Sequence, residues 1–191
     1  FTFNVKNEKM LKIIQERRSH FLKEFNGQKA SDSLIHSLLN AAVWAPSHKL
    51  TLPFRFVVYG PENLELFSTQ IVQSYSERNP DPKQEKIHKM QSFPDKLSHV
   101  IAIVLQPSQK VPLWEEYACL GAAVQNMYLS ISQEENFGAY WTTGNEIDSP
   151  QMRENLKLSP DEIHCGYLFI GGIDLKRTQA VRPEPKVEWL Y

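Results

Sequence analysis

The spacing of hydrophobic residues predicts amphipathic helices that alternate with buried strands along most of the chain. Apolar residues recur at intervals of three and four in three stretches, the period of a helix with one buried face. The first stretch, Glu8–Arg18, carries Met10, Ile13 and Ile14. The second begins at the N-cap Ser31 and ends before Pro46, because a residue that precedes proline avoids helical backbone angles. The longest follows KVPLWEE, and its apolar positions are Tyr117, Leu120, Gly121, Val124, Met127, Tyr128 and Ile131.

Continuous apolar runs predict strands at three further places, which are Phe54–Tyr59, His99–Gln106 and Glu162–Gly172. The stretch GAYWTTG, Gly138–Gly144, predicts a shorter extended piece. A proline is favoured at the first helical position, so Pro61, Ser149-Pro150 and Ser159-Pro160 predict further helix starts. The helices between the strands differ in length and show no regular βαβ alternation. This order predicts an α+β fold or a mixed sheet with helices packed on it.

Two polar segments interrupt this pattern. Residues 74–96 contain three prolines and predict a surface excursion with short helices, or a lid. Residues 174–191 are polar and broken by prolines before they end in VEWLY. That ending predicts a C-terminal arm that adds a strand to the sheet edge of a partner subunit.

Composition narrows the class of protein. A chain of 191 residues, 41% hydrophobic and 23% charged, fits one globular domain, residues 1–191. A net charge of -1 argues against binding to nucleic acid or to an anionic membrane. We find no apolar run near ~20 residues and no secretory signal, although a lost leader stays open because the chain does not begin with Met. Cys119 and Cys165 predict two buried free thiols rather than a disulfide, which favours the cytoplasm.

Several common chemistries have no support in the sequence. The chain has no G-x-G-x-x-G, no G-x-x-x-x-G-K-[ST] and no G-x-S-x-G, the motifs of dinucleotide binding, phosphate-binding loops and serine hydrolases. Its six histidines are scattered without metal-ligand spacing, and it has no C-x-x-C. We therefore predict no metal site and no catalytic triad.

Three separated stretches carry polar groups without an obvious structural purpose. Arg17, Arg18 and Ser19 form either an anion-binding cradle or a solvated helix end, and the apolar stripe that Arg17 continues favours a cleft. Ser47-His48-Lys49 is a polar loop between two buried elements. YWTTG offers hydroxyl and backbone donors, or is an ordinary strand end.

Together these stretches resemble the nitroreductase family of FMN-dependent oxidoreductases over nearly the whole chain. The matching segments, in order, are RRSHFLKEF, LLNAAVWAPSHKLTLPFRFVVYG, GAAVQNMYLSISQEENFGAYWTTG and GYLFIGGID. The resemblance extends to the short single-domain bacterial NAD(P)H nitroreductases. It implies a nitroreductase-like fold, with a central mixed, largely antiparallel sheet flanked by helices, and a homodimer with the site at the subunit interface.

The resemblance also implies which residues bind FMN. Arg17, Arg18 and Ser19 match the family positions at the phosphate, ribityl chain or pyrimidine edge. His48 and Lys49 match a loop that reaches the flavin from one side. Arg182, with Lys176 and Arg177 as competitors, matches a late basic residue of the phosphate site. The segment that lines the ring is Trp141, Thr142, Thr143 and Gly144.

The implied activity is hydride transfer from NAD(P)H to nitroaromatics, quinones or related electron-poor acceptors in a ping-pong cycle. The alternatives are the same fold and FMN with dehalogenation, flavin destruction or dehydrogenation, or a flavin-binding module without catalysis. No catalytic acid or base is expected, because the cofactor carries the hydride chemistry. Leu50, Leu52 and Phe54 stand where many members carry Asn, Gln and Trp, so His48 and Lys49 are expected to replace the asparagine contact. Trp44 either shapes the substrate face or packs in the core, and we favour core packing.

Overall fold

The computed structural model describes residues 5–144, 149–175 and 180–190. Within this part of the chain the sheet has four antiparallel strands in the order β1-β2-β4-β3. The strands are β1 (Phe54–Tyr59), β2 (His99–Leu105), β3 (Phe137–Thr142) and β4 (Ile163–Gly172). The α+β class and the largely antiparallel sheet predicted from the sequence are confirmed.

The helices lie between and around the strands. They are α1 (Val5–Glu16), α2 (Asp32–Ala42), α3 (Leu64–Arg78), α4 (Gln84–Gln91), α5 (Phe93–Lys96), α6 (Leu113–Ile131) and α7 (Pro150–Asn155). Short 3-10 turns occupy Leu22–Glu24, His48–Leu50 and Pro61–Asn63. Ser31 and Ser149 cap α2 and α7 as predicted, because each side-chain oxygen accepts an N–H of the first helical turn.

Two hydrophobic cores sandwich the sheet. Successive residues of a strand point to opposite faces, so Ile101 packs on one side of β2 and Val100 on the other. The Ile101 side is covered by α2 and α6, and the Val100 side by α3, α5 and α7. The long apolar run of β2 is explained by burial on both faces.

The end of α2 differs from the sequence prediction. The helix stops at Ala42 rather than at Pro46. Trp44 and Ala45 donate their N–H groups to carbonyls three residues earlier, at Ala41 and Ala42, so the last turn tightens and leaves the helical path.

The helix predicted at Ser159-Pro160 is wrong, because these residues form a turn. The Ser159 N–H donates to the Glu162 carboxylate at 2.9 Å, and Arg153 donates to the carbonyls of Ser159 and Pro160. The side chains of Glu162 and Arg153 therefore occupy backbone groups that would form hydrogen bonds within a helix.

The segment 74–96 is only partly an excursion. Its short helices are confirmed as α4 and α5, but Ser74–Arg78 completes α3. Ser74, Tyr75 and Phe93 are buried, so both ends of the segment pack on the body of the protein.

The apolar stripe of α1 is not covered by the other described residues. Met10, Leu11 and Ile14 are each about half exposed, although their spacing predicted a buried face. Residues 180–190 contain neither helix nor strand and are exposed. Among the described helices, none is both long enough and apolar enough to pass through a bilayer.

Candidate functional site

The Tyr128 hydroxyl joins two of the three polar stretches identified in the sequence. The backbone N–H of Trp141 donates to it at 2.5 Å, and the Ser19 hydroxyl donates at 3.4 Å. The Arg17 guanidinium lies over the Tyr128 ring, 5.1 Å from its centroid, a cation–π distance. The side chain of Tyr128 therefore connects the end of α1, the middle of β3 and the last turns of α6.

Tyr128 is buried, and burial raises the pKa of its phenol. The hydrogen bonds from Ser19 and Trp141, with the charge of Arg17, act in the opposite direction. The hydroxyl stays protonated near neutral pH and acts toward Ser19 and Trp141 as an acceptor.

The Arg17–Phe21 segment runs along the outer edge of β3. Ser19 forms a parallel bridge with Ala139, whose carbonyl accepts the His20 N–H at 2.9 Å. Gly138 permits this approach, since a Cβ there would lie 2.6 Å from the His20 ring. Because Gly138 has no side chain, the segment that carries Arg17 and Arg18 can lie against β3.

Three arginines share one cavity of about 600 Å³. Arg17 and Arg18 enter it from the end of α1, and Arg182 enters from the C-terminal segment. Arg18 also donates to the carbonyls of Gln15 (2.6 Å) and Arg17 (2.7 Å), which fixes its side chain against the helix end. The described residues around the cavity include no carboxylate; they are Ile14, Gln15, Arg17, Arg18, Gln125, Ala180, Val181 and Arg182. Guanidinium groups that converge on one cavity are the chemistry that holds a phosphate.

The Trp141–Gly144 segment divides between the two faces of the sheet. The Trp141 indole donates to the Cys165 carbonyl at 3.0 Å and packs toward α2 and α6. Thr142 and Gly144 line a second cavity on the opposite face, while Thr143 is exposed. Gly166 faces the end of β3 with a φ of +102°, and a Cβ there would lie 2.3 Å from the Thr142 carbonyl oxygen.

His48 and Lys49 lie in a strained turn at the other end of α6. Lys49, Leu50 and Leu52 all have positive φ, which is rare for residues other than glycine. His48 Nδ1 lies 2.5 Å from the Glu115 carboxylate, and Lys49 donates to the Lys110 carbonyl at 3.1 Å.

Within one chain this turn is far from the arginines. Glu115 and Tyr128 both lie on α6, thirteen positions apart, which corresponds to about 20 Å along the axis. Arg17, Arg18, Ser19, Trp141 and Arg182 are brought together, whereas His48 and Lys49 are not. Lys176 and Arg177, the competitors of Arg182, lie outside the described residues.

Two residues change role relative to the sequence analysis. The sequence analysis placed Tyr128 only in the buried stripe of the long helix. Its polar hydroxyl within an apolar stripe was the feature of the sequence that could have indicated a role in the site. Trp44 was assigned to the core, and this is wrong because it is 83% exposed.

The sequence profile of the nitroreductase family matches residues 14–172. The chain belongs to the nitroreductase family. Among curated proteins it is 29% identical over 154 residues to YdjA of Escherichia coli (strain K12), covering 79% of this chain and 82% of YdjA. It is 22% identical over 161 residues to YfhC of Bacillus subtilis (strain 168), covering 83% and 81%. Both relatives bear provisional names as NAD(P)H nitroreductases.

Solved structures show the same fold. A nitroreductase-like protein from Bacillus cereus superposes with a TM-score of 0.77 at 23% identity, covering 96% of this chain and 94% of that one. A nitroreductase relative from Desulfovibrio desulfuricans, solved with FMN, gives 0.70 at 22% identity, covering 95% and 94%. Iodotyrosine deiodinase bound to FMN and 3-iodo-L-tyrosine also gives 0.70, at 16% identity, covering 95% and 99%. The nitroreductase-like fold predicted from the sequence is therefore confirmed.

Proposed function

We propose that this nitroreductase-family protein is an FMN-dependent NAD(P)H oxidoreductase that reduces small electron-poor acceptors. The observation that carries the proposal is the convergence of Arg17, Arg18 and Arg182 on one cavity beside β3. This donor set fits a phosphomonoester, and it lies next to the segment whose family counterpart lines the flavin ring. FMN in the related structure from Desulfovibrio desulfuricans supports the choice of flavin.

Each group of residues has a distinct task in this proposal. The three arginines bind the phosphate of FMN, and Ser19 binds its ribityl chain or pyrimidine edge. The segment Trp141–Gly144 supports the ring. The hydrogen bond from the Trp141 N–H to the Tyr128 hydroxyl holds this segment in place. FMN held by these residues would supply the hydride chemistry that links NAD(P)H to the acceptor. A positive side chain near the ring, Lys49, favours the negatively charged reduced form.

The overall reaction balances without a further reactant. NAD(P)H, one proton and a nitroarene give NAD(P)⁺, a nitrosoarene and one water, with cleavage of one N–O bond. A quinone takes the same two electrons and two protons and becomes a hydroquinone. Both half-reactions use one site in turn, which gives ping-pong kinetics.

The proposal includes a homodimer in which His48 and Lys49 serve the partner's flavin. His48 contacts Glu115, which lies about 20 Å along α6 from Tyr128, the residue whose ring Arg17 covers. Large apolar side chains near them are exposed, with Trp114 at 70% and Leu50 at 83%. Such a surface is expected at a subunit interface. The small face of α6 around Gly121 allows a second helix to approach closely.

The C-terminal arm has a place in the same dimer. β1 is an edge strand of the sheet, with only β2 beside it among the described strands. Val187, Trp189 and Leu190 are exposed in the arm. We assign them to the partner's surface, where VEWLY adds to a strand edge. The free thiols of Cys119 and Cys165 support a cytoplasmic location.

The first experiment is a visible spectrum of the purified protein before and after NADPH or NADH is added under nitrogen. Flavin bands that bleach support the oxidoreductase, and a panel of nitroarenes, quinones, haloarenes and reduced flavin then separates it from the alternative reactions. Flavin bands that persist with both nicotinamides favour a flavin-binding module. Protein that neither carries nor takes up FMN contradicts the site built on Arg17, Arg18 and Arg182.

A further inference from the structure

The turn between α2 and β1 has an unfavourable backbone conformation. Lys49, Leu50 and Leu52 have φ values of +53°, +51° and +40°, a region that residues other than glycine seldom occupy. Conformations of this kind persist only where the surrounding structure imposes them, and they cluster at functional sites. The side chains that this turn displays are therefore candidates for a role beyond the fold.

Side-chain hydrogen bonds hold the turn on both sides of His48. The Ser47 hydroxyl accepts the Leu52 N–H at 2.9 Å. The Lys49 ammonium donates to the Lys110 carbonyl at 3.1 Å, in the segment that precedes α6. Because the residues before and after His48 are both restrained, its side chain leaves the turn in a defined direction.

The His48 imidazole is bound through one nitrogen and is open to solvent. Its Nδ1 lies 2.5 Å from a carboxylate oxygen of Glu115, in the first turn of α6. An ionised carboxylate only accepts hydrogen bonds, so Nδ1 carries the hydrogen. The His48 side chain is 55% exposed. The second nitrogen, Nε2, is thus the one that can exchange a proton with solvent or with a ligand.

Two adjacent acids at the start of α6 have separate tasks. Glu116 is buried, and its carboxylate accepts the N–H and the hydroxyl of Ser108 at 2.9 and 2.5 Å. Glu116 therefore holds the segment that leads into the helix. Glu115 is the acid of this turn that contacts His48.

The proposed reaction requires a proton as well as a hydride. The hydride, with its two electrons, comes from NAD(P)H. One further proton must reach the oxygen that leaves a nitroarene as water, or an oxygen of a quinone. Histidine is the side chain that most readily gains and loses a proton near physiological pH. A positioned proton donor accelerates such a step by about 100- to 10,000-fold.

We infer that His48 is the proton donor to the acceptor at the partner's flavin, and that Glu115 is the positioning residue that holds it. The inference rests on the proposed function, which places His48 beside that flavin. Protonated His48 releases the Nε2 proton to the acceptor oxygen; in a nitroarene one N–O bond breaks and the oxygen leaves as water. The ring is left neutral with its hydrogen on Nδ1, the form that Glu115 already binds, and Nε2 takes a new proton from solvent.

Acceptors that differ in their need for a proton test the role of His48. Reduction of 1,4-benzoquinone consumes protons, whereas ferricyanide takes single electrons and no proton. In FMN-loaded protein reduced with NAD(P)H under nitrogen, we expect His48→Gln to lower the reoxidation rate with benzoquinone about 100-fold relative to the rate with ferricyanide. His36→Gln, at an exposed position of α2, is the matched control and should keep the wild-type ratio. Equal losses with both acceptors in His48→Gln would overturn the inference.

A spectroscopic readout without turnover tests Glu115. The ¹⁵N chemical shifts of a histidine ring report which nitrogen carries the hydrogen, and the signals of His48 are those that disappear in His48→Gln. We expect the neutral ring to carry its hydrogen on Nδ1 in the wild type and to lose this preference in Glu115→Ala. Glu65→Ala, in the first turn of α3, is the matched control. A wild-type ring with its hydrogen on Nε2 would contradict the positioning by Glu115.

The rate ratio should respond to the same substitution. In Glu115→Ala the benzoquinone rate should fall about tenfold relative to the ferricyanide rate, less than in His48→Gln, since the donor remains but is no longer held in place. An unchanged ratio in Glu115→Ala would contradict the role of that carboxylate.

The two hypotheses fail differently. A protein that bleaches with NAD(P)H but keeps its acceptor ratio in His48→Gln supports the proposed function and contradicts the proton donor. A protein that carries FMN and never bleaches with either nicotinamide contradicts the proposed function, and the proton donor with it.

Discussion

The backbone N–H of Trp141 donates a 2.5 Å hydrogen bond to the hydroxyl of Tyr128, so a side chain of α6 satisfies an amide on the edge strand β3. The outer edge of β3 also receives the Ser19 segment, whose hydroxyl reaches the same oxygen. The Tyr128 hydroxyl thus fixes the relative positions of two segments that we assign to flavin binding.

Tyr128→Phe tests this arrangement. The substitution keeps the ring beneath Arg17 but leaves the Trp141 N–H without its acceptor, at a cost of about 1–3 kcal/mol. We expect a lower free energy of unfolding for the apoprotein and weaker FMN binding, measured by denaturant titration and flavin fluorescence. Tyr117→Phe on the same helix is the control, because that hydroxyl forms no hydrogen bond with another residue in the described part of the chain. Equal effects of the two substitutions would contradict the role given to Tyr128.

The arginine cavity makes a prediction about the phosphate. Arg17→Gln and Arg182→Gln should each weaken FMN binding by roughly 10- to 100-fold, since a hydrogen bond to a charged group contributes about 1.5–3 kcal/mol. Riboflavin lacks the phosphate and should bind both variants nearly as it binds the wild type. Arg78→Gln, exposed at the end of α3, is the control. If each variant lost affinity for FMN and for riboflavin equally, these arginines would act on the flavin ring or on folding rather than on the phosphate.

The Arg55–Glu162 pair makes the stability of the protein depend on pH. Arg55 donates to Glu162 at 2.6 and 2.8 Å, and hydrogen bonds from Arg55, Ser159 and Gln106 lower the pKa of Glu162 from 4.5 to about 2. A lowered folded-state pKa stabilises the protein above the unfolded-state pKa, and this contribution disappears as pH falls from about 5 to 2.

Glu162→Gln should therefore destabilise the protein near neutral pH by on the order of 2–3 kcal/mol and progressively less below pH 4. Chemical denaturation at several pH values measures the two free energies of unfolding, which should converge near pH 2. Glu85→Gln, an exposed position on α4, serves as the control. A constant difference between wild type and Glu162→Gln across this range would mean that the charge of Glu162 is not what stabilises the fold.

The strands were predictable from the sequence because their burial is local and continuous. β2 is apolar from Val100 to Leu105 and is covered on both faces, so its pattern needed no knowledge of the neighbouring elements. The contacts of the candidate site were not predictable in this way. Ser19 and Tyr128 are 109 positions apart, and His48 and Glu115 are 67 apart, so only the folded chain joins them.

The errors have similar physical causes. Trp44 was assigned to the core, but it lies two residues beyond the end of α2 and its side chain is exposed. Ser159-Pro160 carries a local helix signal that Glu162 and Arg153 override from outside the turn. The α1 stripe has the spacing of a buried face, yet no described residue of the chain covers it. We assign the covering surface to a second subunit.

Gly121 offers a test of that second subunit. A Cβ added at Gly121 would meet no atom within 4 Å, so the isolated chain has room for a larger residue there. Replacing glycine within a helix also favours folding by up to about 1 kcal/mol. If α6 packs closely against its copy, Gly121→Gln should weaken the dimer while each chain stays folded. Light scattering after size exclusion gives the mass, and circular dichroism checks the fold. Because His48 and Lys49 are assigned to the partner's flavin, FMN occupancy should fall as the dimer dissociates.

Thr69→Gln, on the exposed side of α3, is the control for a new glutamine on a helix surface. A wild-type protein that is monomeric at every concentration would contradict the dimer, and a Gly121→Gln dimer of unchanged affinity would move the interface away from α6.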